Sequence, residues 1–240
     1  MIAIRFIVFC SLAWLLFDGA ILAAAADSMA RGKVVGIVSV AGVAVKPKPL
    51  PVFKSRSFCG ATVANETLLV GADGRLRNAA VILRPLSGGI VAQPKKLVLD
   101  NQYCAFTPHV QVASLGSELL LKNSDPILHT VHARLERETL FNVGLPKWRQ
   151  VTKRLDRAGV IRIDCDVLHT WMSAVIIVTD SPYFAVSDNK GGFYFEDIPA
   201  GNYQLEIWHE RLGARTQSLT VSEGSIVTLD VVYALERKSR

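Results

Sequence analysis

The feature that most restricts the fold is a repeated alternation of short apolar runs with turn-forming clusters. Runs rich in Val, Ile, Leu and Phe lie between groups of Gly, Pro, Asn and Asp, and long stretches with helical periodicity are scarce. This pattern is typical of all-β proteins, in which each run forms one strand. We therefore predict an all-β fold with strands near residues 33–40, 79–84, 96–99, 110–113, 117–122, 149–155, 159–165, 173–178, 183–187, 192–196, 202–209, 215–221 and 225–232.

Segment 136–146 does not fit the strand pattern. It is more mixed in polarity than the runs on either side of it. We expect a looser connection there, with room for a short helix.

Residues 1–26 have the composition of a secretory signal peptide. Arg5 precedes an apolar run, and the segment ends in four consecutive alanines, which favours cleavage after Ala26. A retained membrane helix is the alternative, but Asp18 and Gly19 interrupt the run before it reaches the length of a membrane span. We therefore predict secretion across the inner membrane into the periplasm.

The formal net charge of +6 is modest and restricts the partners. A basic surface of this size suits an acidic protein partner or peripheral contact with an anionic membrane. The sequence has no Lys/Arg block and no basic patch interleaved with aromatic residues, so it does not predict binding to nucleic acid. The sequence does not indicate an oligomeric state.

The cysteine count points to a thiol with a special role. Once the signal peptide with Cys10 is removed, Cys59, Cys104 and Cys165 remain. An odd number in an oxidising compartment leaves one thiol free, intermolecular or bound to metal. The simplest solution pairs Cys59 with Cys104 and leaves Cys165 for a metal, although a buried free cysteine is also a common core residue.

Segment 165–172 contains most of a candidate metal site. Cys165, His169 and Met172 place a thiol, an imidazole and a thioether in one short connection between two predicted strands. A thiolate, two imidazoles and a distant thioether form the donor set that suits copper in single-electron transfer. The segment therefore predicts a copper site that still needs one more histidine.

His129 is the preferred source of the second imidazole. It follows the turn 123–126 and begins an extended segment that also contains His132. Successive side chains of a strand alternate between its two faces, so His129 and His132 point to opposite sides. One of them can join Cys165 in a buried site, and His129 stands at the end of the turn, where a ligand is easily directed inward.

Each of these residues also has an ordinary structural interpretation. Cys165 and Met172 are common as buried core side chains, and a lone His169 is usually a hydrogen-bonded loop residue. Trp171 is expected to shield the site from solvent rather than to carry electrons.

These motifs resemble the cupredoxin family, which includes plastocyanin and azurin. The match extends over most of the mature chain and is closest to secreted bacterial cupredoxin-like proteins labelled methylamine utilisation proteins. The resemblance implies a Greek-key β-sandwich that binds copper, exchanges electrons with a redox protein donor or acceptor, and is not an enzyme. It is carried by segments 104–109, 123–132, 165–178 and 208–210. The copper ligands it implies are His129, Cys165, His169 and Met172.

The spacing within segment 165–172 departs from the family pattern. Plastocyanin-like loops usually have two residues between Cys and His and more than two between His and Met, whereas this chain has three and two. That spacing resembles part of the dinuclear copper-A centre, which needs a further cysteine where Ile161 stands. A mononuclear site is therefore expected.

The C-terminal part resembles the carboxypeptidase regulatory-like domain, a small transthyretin-like β-sandwich with a structural or interactive role. The resemblance lies in segments 186–193 and 198–203. We therefore divide the chain into a signal peptide, 1–26, a cupredoxin-like copper-binding domain with an N-terminal extension, 27–180, and a C-terminal β domain, 181–240. The C-terminal meander is small for a core of its own, so it packs on the preceding part or completes a sheet with N-terminal strands.

Three residues of the C-terminal part have polar side chains that metals also use. Asp188 and Asn189 fit a hydrogen-bonded turn better than a calcium loop, because no D-x-D-x-D-G motif is present. His209 is expected on a strand surface, with a weak second metal site as the alternative.

The histidine inventory argues against a copper oxidase or nitrite reductase. Such enzymes add a second copper centre with several further histidines, and this chain has 5 in total. The alternatives to electron transfer are a non-redox β-sandwich binding module and a periplasmic protein for copper storage or delivery.

Overall fold

The computed structural model describes residues 31–41, 47–71, 73–88 and 91–234, and the predicted signal peptide lies outside this range. Within these residues the fold is all-β, as predicted. They form eighteen strands and one helix of four residues. No helix in this part of the chain has the length and apolar character needed to cross a membrane.

The elements follow one another with short connections. Their bounds are β1 Gly32–Ala41, β2 Leu50–Pro51, α1 Arg56–Cys59, β3 Thr62–Val63, β4 Ala80–Pro85, β5 Lys96–Gln102, β6 Ala105–Thr107, β7 Val110–Ser114, β8 Glu118–Asn123, β9 His129–Leu135, β10 Glu138–Leu145, β11 Gln150–Arg154, β12 Gly159–Asp164, β13 Ser173–Thr179, β14 Tyr183–Val186, β15 Gly192–Ile198, β16 Gly201–His209, β17 Gly213–Val221 and β18 Ile226–Ala234.

A five-stranded and a four-stranded sheet form the first sandwich. Their strand orders are β10-β9-β12-β13-β7 and β11-β8-β5-β6. Alternate residues of both sheets point into one shared core, for example Leu121 from β8 and Ile163 from β12. The loop after β12 and the start of β9 lie at one end of this sandwich, because β12 and β9 are antiparallel neighbours.

A second sandwich combines C-terminal strands with N-terminal ones. Its sheets have the orders β15-β1-β18 and β14-β4-β16-β17. The C-terminal meander thus completes its sheets with β1 and β4, which was one of the two predicted arrangements. We propose that the second structural unit consists of residues 181–234 together with β1 and β4.

The two sandwiches share a third apolar cluster. Ala80 and Ile82 of β4 pack with Val175 and Ile177 of β13, while the intervening residues of each strand enter the core of their own sandwich. Both faces of β4 and β13 are therefore buried. This explains why residues 173–178 read as a continuous apolar run instead of an alternating one.

The prediction of a loose or helical segment at 136–146 is wrong. Residues 138–145 form β10, which pairs with β9 in antiparallel register. β10 is an edge strand with most of its side chains at least partly exposed, so its sequence lacks the apolar contrast that marks the inner strands.

Candidate metal centre

Two neighbouring strands bring the predicted ligand residues together. His129 is the first residue of β9, and Cys165 directly follows β12. The pairing of Asp164 with His132 places the start of the ligand loop, residues 165–172, beside the start of β9. The Thr130 amide lies 3.4 Å from Cys165 Sγ and donates to it, which ties the loop to the strand.

Three donor atoms converge at this end of the sandwich. His129 Nδ1 lies 3.1 Å from His169 Nδ1, and Cys165 Sγ lies 3.9 Å from the first nitrogen and 3.7 Å from the second. A triangle with these sides has a central point about 2.1 Å from each corner, within the metal–nitrogen and metal–sulfur lengths known for zinc. The donor atoms of His129, Cys165 and His169 therefore lie close enough together to contact one metal ion.

The two histidines of β9 point to opposite faces, as predicted. His129 is fully buried beside Cys165. His132 lies on the other face, where its Nε2 is 2.8 Å from Thr139 Oγ1 and its Nδ1 is 2.9 Å from Asp166 Oδ2. The strand period thus identifies the histidine that faces the site.

Asp125 orients the His129 ring from the outside. Its Oδ2 lies 3.0 Å from His129 Nε2, which leaves Nδ1 free to face the other donors. The carboxylate also accepts bonds from the amides of Tyr103 and Cys104 at 2.7 and 2.9 Å. A carboxylate that holds the outer nitrogen of a metal-binding histidine fixes both its tautomer and its direction.

Asn123 holds the turn that precedes His129. Its Nδ2 donates to the carbonyls of Ile127 and Leu145, and its Oδ1 accepts from the Asp125 amide at 3.0 Å. The hydrogen bonds of Asn123 therefore fix the turn that positions both Asp125 and His129.

The pKa values of the three residues are shifted by burial and by their contacts with one another and with Asp125. Burial raises the pKa of Cys165, but the contact with His129 and the hydrogen bond from the Thr130 amide outweigh it and leave the pKa lowered. Burial and the neighbouring His129 lower the pKa of His169 to about 4, so its imidazole is neutral near pH 7. Burial lowers the pKa of His129, yet Asp125 and Cys165 raise it more, and the net shift is upward. The shifts of Cys165 and His169 are thus in the direction of the deprotonated forms that metals bind, whereas the shift of His129 is in the opposite direction.

Met172 and Trp171 follow His169 closely in the chain and are both buried. The Met172 amide donates to the His169 carbonyl at 2.9 Å, which folds the end of the loop into a turn. Met172 is buried in the same core cluster as Cys165. The Trp171 ring packs beside His169 with 5.0 Å between centroids, and its role as a shield stays a prediction.

The predicted pairing of the cysteines is confirmed. Cys59 and Cys104 form a disulfide, and among the described residues Cys165 is the free cysteine. A cavity of about 350 Å³ lies between this disulfide and the ligand loop, with Trp171 and Met172 in its wall.

Two polar features of the C-terminal part were also predicted. Asp188 Oδ1 accepts from the amides of Lys190 and Gly192 at 2.7 and 2.8 Å, which is the expected hydrogen-bonded turn. The surface position expected for His209 is wrong. His209 is buried, because it shares the inward face of β16 with Leu205 and Ile207. The alternation along β16 is a signal that could have shown this.

Two site contacts were missed at the sequence level. Ser55 Oγ lies 3.4 Å from His169 Nε2, across 114 positions of the chain. His109 links the start of β13 to the second sandwich, because its Nδ1 is 3.0 Å from the Ser173 carbonyl and its Nε2 contacts Glu210, which follows β16. No local pattern marks either contact.

The chain is only weakly similar to proteins of known structure. No family model matches the chain, and no curated protein matches it. Similar solved structures include a purple cupredoxin from Nitrosopumilus maritimus, which has 17% identity and a TM-score of 0.31 and for which the alignment covers 35% of this chain and 99% of that one. A reduced amicyanin mutant has 17% identity and a TM-score of 0.31, with 41% and 99% covered.

A copper-containing nitrite reductase from Thermus scotoductus SA-01 is a third structure of this kind. It has 17% identity and a TM-score of 0.33, with 40% of this chain and 25% of that chain covered. All three structures are matched over less than half of this chain. The function proposed below rests on the residues of the site.

Proposed function

We propose that the protein binds one copper ion through His129, Cys165, His169 and Met172 and carries single electrons. The observation that supports this most directly is the convergence of three buried donor atoms around a point about 2.1 Å from each, a distance suited to metal bonds. Among the described residues, His129, Cys165 and His169 form a group whose potential ligand atoms all lie within 4.8 Å of one another.

The donor set favours copper over zinc. Structural zinc sites are closed by four strong ligands from Cys, His or a carboxylate. Here the neighbour on the same loop is the thioether of Met172, a soft and weak donor. Two imidazoles, one thiolate and a thioether form the set that selects copper in electron-transfer sites.

The protein contributes rigidity and exclusion of water. Bound copper would supply a one-electron couple. Asp125 holds His129, the Thr130 amide holds the sulfur of Cys165, and both strands belong to one sheet. Donors held in one arrangement need little movement when the charge of the site changes, and hydrogen bonds to the sulfur together with burial set the reduction potential.

Partner and location are part of the same proposal. We infer export to the periplasm from the signal-like N-terminus, and the Cys59–Cys104 disulfide supports an oxidising compartment. The partner is a redox protein donor or acceptor, and the protein itself is not an enzyme. The C-terminal carboxypeptidase regulatory-like unit has a structural or interactive role.

The test is copper binding followed by absorption spectroscopy. Wild-type protein should bind one equivalent of copper and show an intense absorption from thiolate to copper, and Cys165→Ser should abolish that absorption. His129→Gln should also lose it, whereas His132→Gln on the opposite face should keep it. Copper binding that is stoichiometric and equal in wild type and Cys165→Ser would refute the site. Copper that leaves the protein in every redox cycle would indicate delivery instead of electron transfer.

Replacement of the thioether tests Met172 separately. Met172→Leu should keep the absorption and the stoichiometry, because the three strong donors remain. The reduction potential should rise, since an apolar side chain no longer donates electron density to the oxidised ion. Voltammetry of both proteins checks this, and an unchanged potential would remove Met172 from the ligand set.

A further inference from the structure

Segment 50–63 forms a cap at the metal end of the first sandwich. Strands β2 and β3 pair with each other, so the segment closes on itself, with α1 between them. Val52 is buried in the core that also contains Cys165 and Met172. The cap therefore rests on the ligand loop while lying outside both large sheets.

Ser55 is the cap residue that reaches the site. It precedes α1 at the position where a serine normally accepts a bond from the helix backbone, but its side chain makes no such bond. Its φ of 58° lies in the left-handed region that favours glycine. The hydroxyl instead lies 3.4 Å from His169 Nε2, the ring nitrogen that faces away from the other donors.

The Cys59–Cys104 disulfide joins this cap to the support of the other histidine. Cys59 ends α1, four positions after Ser55. The Cys104 amide donates to Asp125 at 2.9 Å, and Asp125 in turn holds His129. The disulfide thus links the segment that carries Ser55 to Cys104, whose amide donates to Asp125.

Cys104 also anchors the ligand loop itself. Its carbonyl accepts from Trp171 Nε1 at 3.0 Å, and the Trp171 ring packs beside His169. The loop would otherwise be open to solvent: Leu168 is 64% exposed, whereas His169 beside it is 1% exposed. Contacts from outside the loop, including that of Ser55, cover His169.

We propose that segment 50–63, fastened by the Cys59–Cys104 disulfide, is a positioning cap that holds His169 through Ser55 and seals its outer edge from solvent. This inference rests on the proposed function for the identity of the metal. The cap itself exists in the metal-free protein and can be tested there.

Two measurements test the cap. In metal-free, full-length protein, the rate of maleimide addition to Cys165 is followed by peptide mass spectrometry. In copper(I)-loaded protein, the rate of copper release to a chelator is measured. The variants are Ser55→Ala, the double change Cys59→Ser with Cys104→Ser, and Ser57→Ala as a matched control, since Ser57 lies exposed on the same short helix.

The double variant should raise both rates about tenfold or more, because local opening of the segment then needs less free energy. Ser55→Ala should raise copper release about threefold relative to Ser57→Ala, the scale of one weak hydrogen bond. A folded double variant with wild-type rates, or Ser55→Ala and Ser57→Ala variants with equal release rates, would overturn the proposal. If the double variant does not unfold cooperatively, it is not properly folded. The release rates of Ser55→Ala and Ser57→Ala then decide whether the cap holds His169.

The two proposals fail in different ways. Wild-type protein that binds no copper refutes the proposed function, and the maleimide rates still decide whether the cap protects the ligand loop. Copper binding with equal rates in all variants refutes the cap and leaves the metal site intact.

Discussion

Asp125→Ala is expected to lower the free energy of unfolding of the metal-free protein by about 3 to 5 kcal/mol, the range measured when one partner of a buried ion pair is removed. The side chain is buried and accepts three hydrogen bonds, from His129 and from the amides of Tyr103 and Cys104. Alanine leaves all three donors without a partner. Each unsatisfied buried donor lowers the free energy of unfolding by about 1 to 3 kcal/mol.

Urea unfolding of the variant and of wild type measures this difference. Asp156→Ala is the matched control, because Asp156 is exposed and pairs with exposed Arg154. Such surface pairs contribute about 0 to 1 kcal/mol. Equal losses in the two variants would show that Asp125 does not hold the turn and His129 as the structure indicates.

His209 is expected to make stability depend on pH between about 4 and 6.5. Burial, together with the charges of His109 and Arg211, lowers its pKa from 6.5 to about 4, and the nearby Glu210 opposes this only in part. Its Nδ1 lies 3.2 Å from the Arg211 amide and accepts from it, as a neutral ring can. In this range the unfolded chain binds a proton at His209 and the folded protein does not, so stability falls as the pH falls.

The size of this effect follows from the shift in pKa. Between pH 7 and pH 4.5 the linkage amounts to about 2 kcal/mol for His209 alone. His169 also has a pKa of about 4 and acts in the same direction in the metal-free protein. The raised pKa of His109, which Glu210 holds up against the effect of burial, acts in the opposite sense and at higher pH.

Comparison of wild type with His209→Gln isolates the contribution of His209. Free energies of unfolding are measured on the metal-free proteins at pH 7 and at pH 4.5. Wild type should lose about 2 kcal/mol more than the variant over this interval. An equal loss in both proteins would show that His209 is already protonated in the folded state or is reached by solvent.

Much of the fold could be predicted because half-buried strands have alternating apolar and polar residues, a pattern that is visible in the local sequence. Alternation along the chain located most of the inner strands, and the same period of two separated His129 from His132. Where the contrast between the faces is lost, prediction failed: β10 is exposed on an edge, and its residues read as a loose connection. His209 is a different case, because the alternation was present but the inward-facing position at the end of β16 holds a polar residue.

By itself, the sequence determined the all-β class, the ligand types on one short loop and an odd cysteine count, because each depends on residues close together in the chain. Only the tertiary structure decided that the donor atoms meet around one point and that Asp125 and Ser55 support the two rings. Ser55 and His169 are 114 positions apart, and Cys59 and Cys104 are 45 apart. Such contacts arise from the packing of sheets and caps, which fixes distances between distant residues and leaves no periodic signal in the chain.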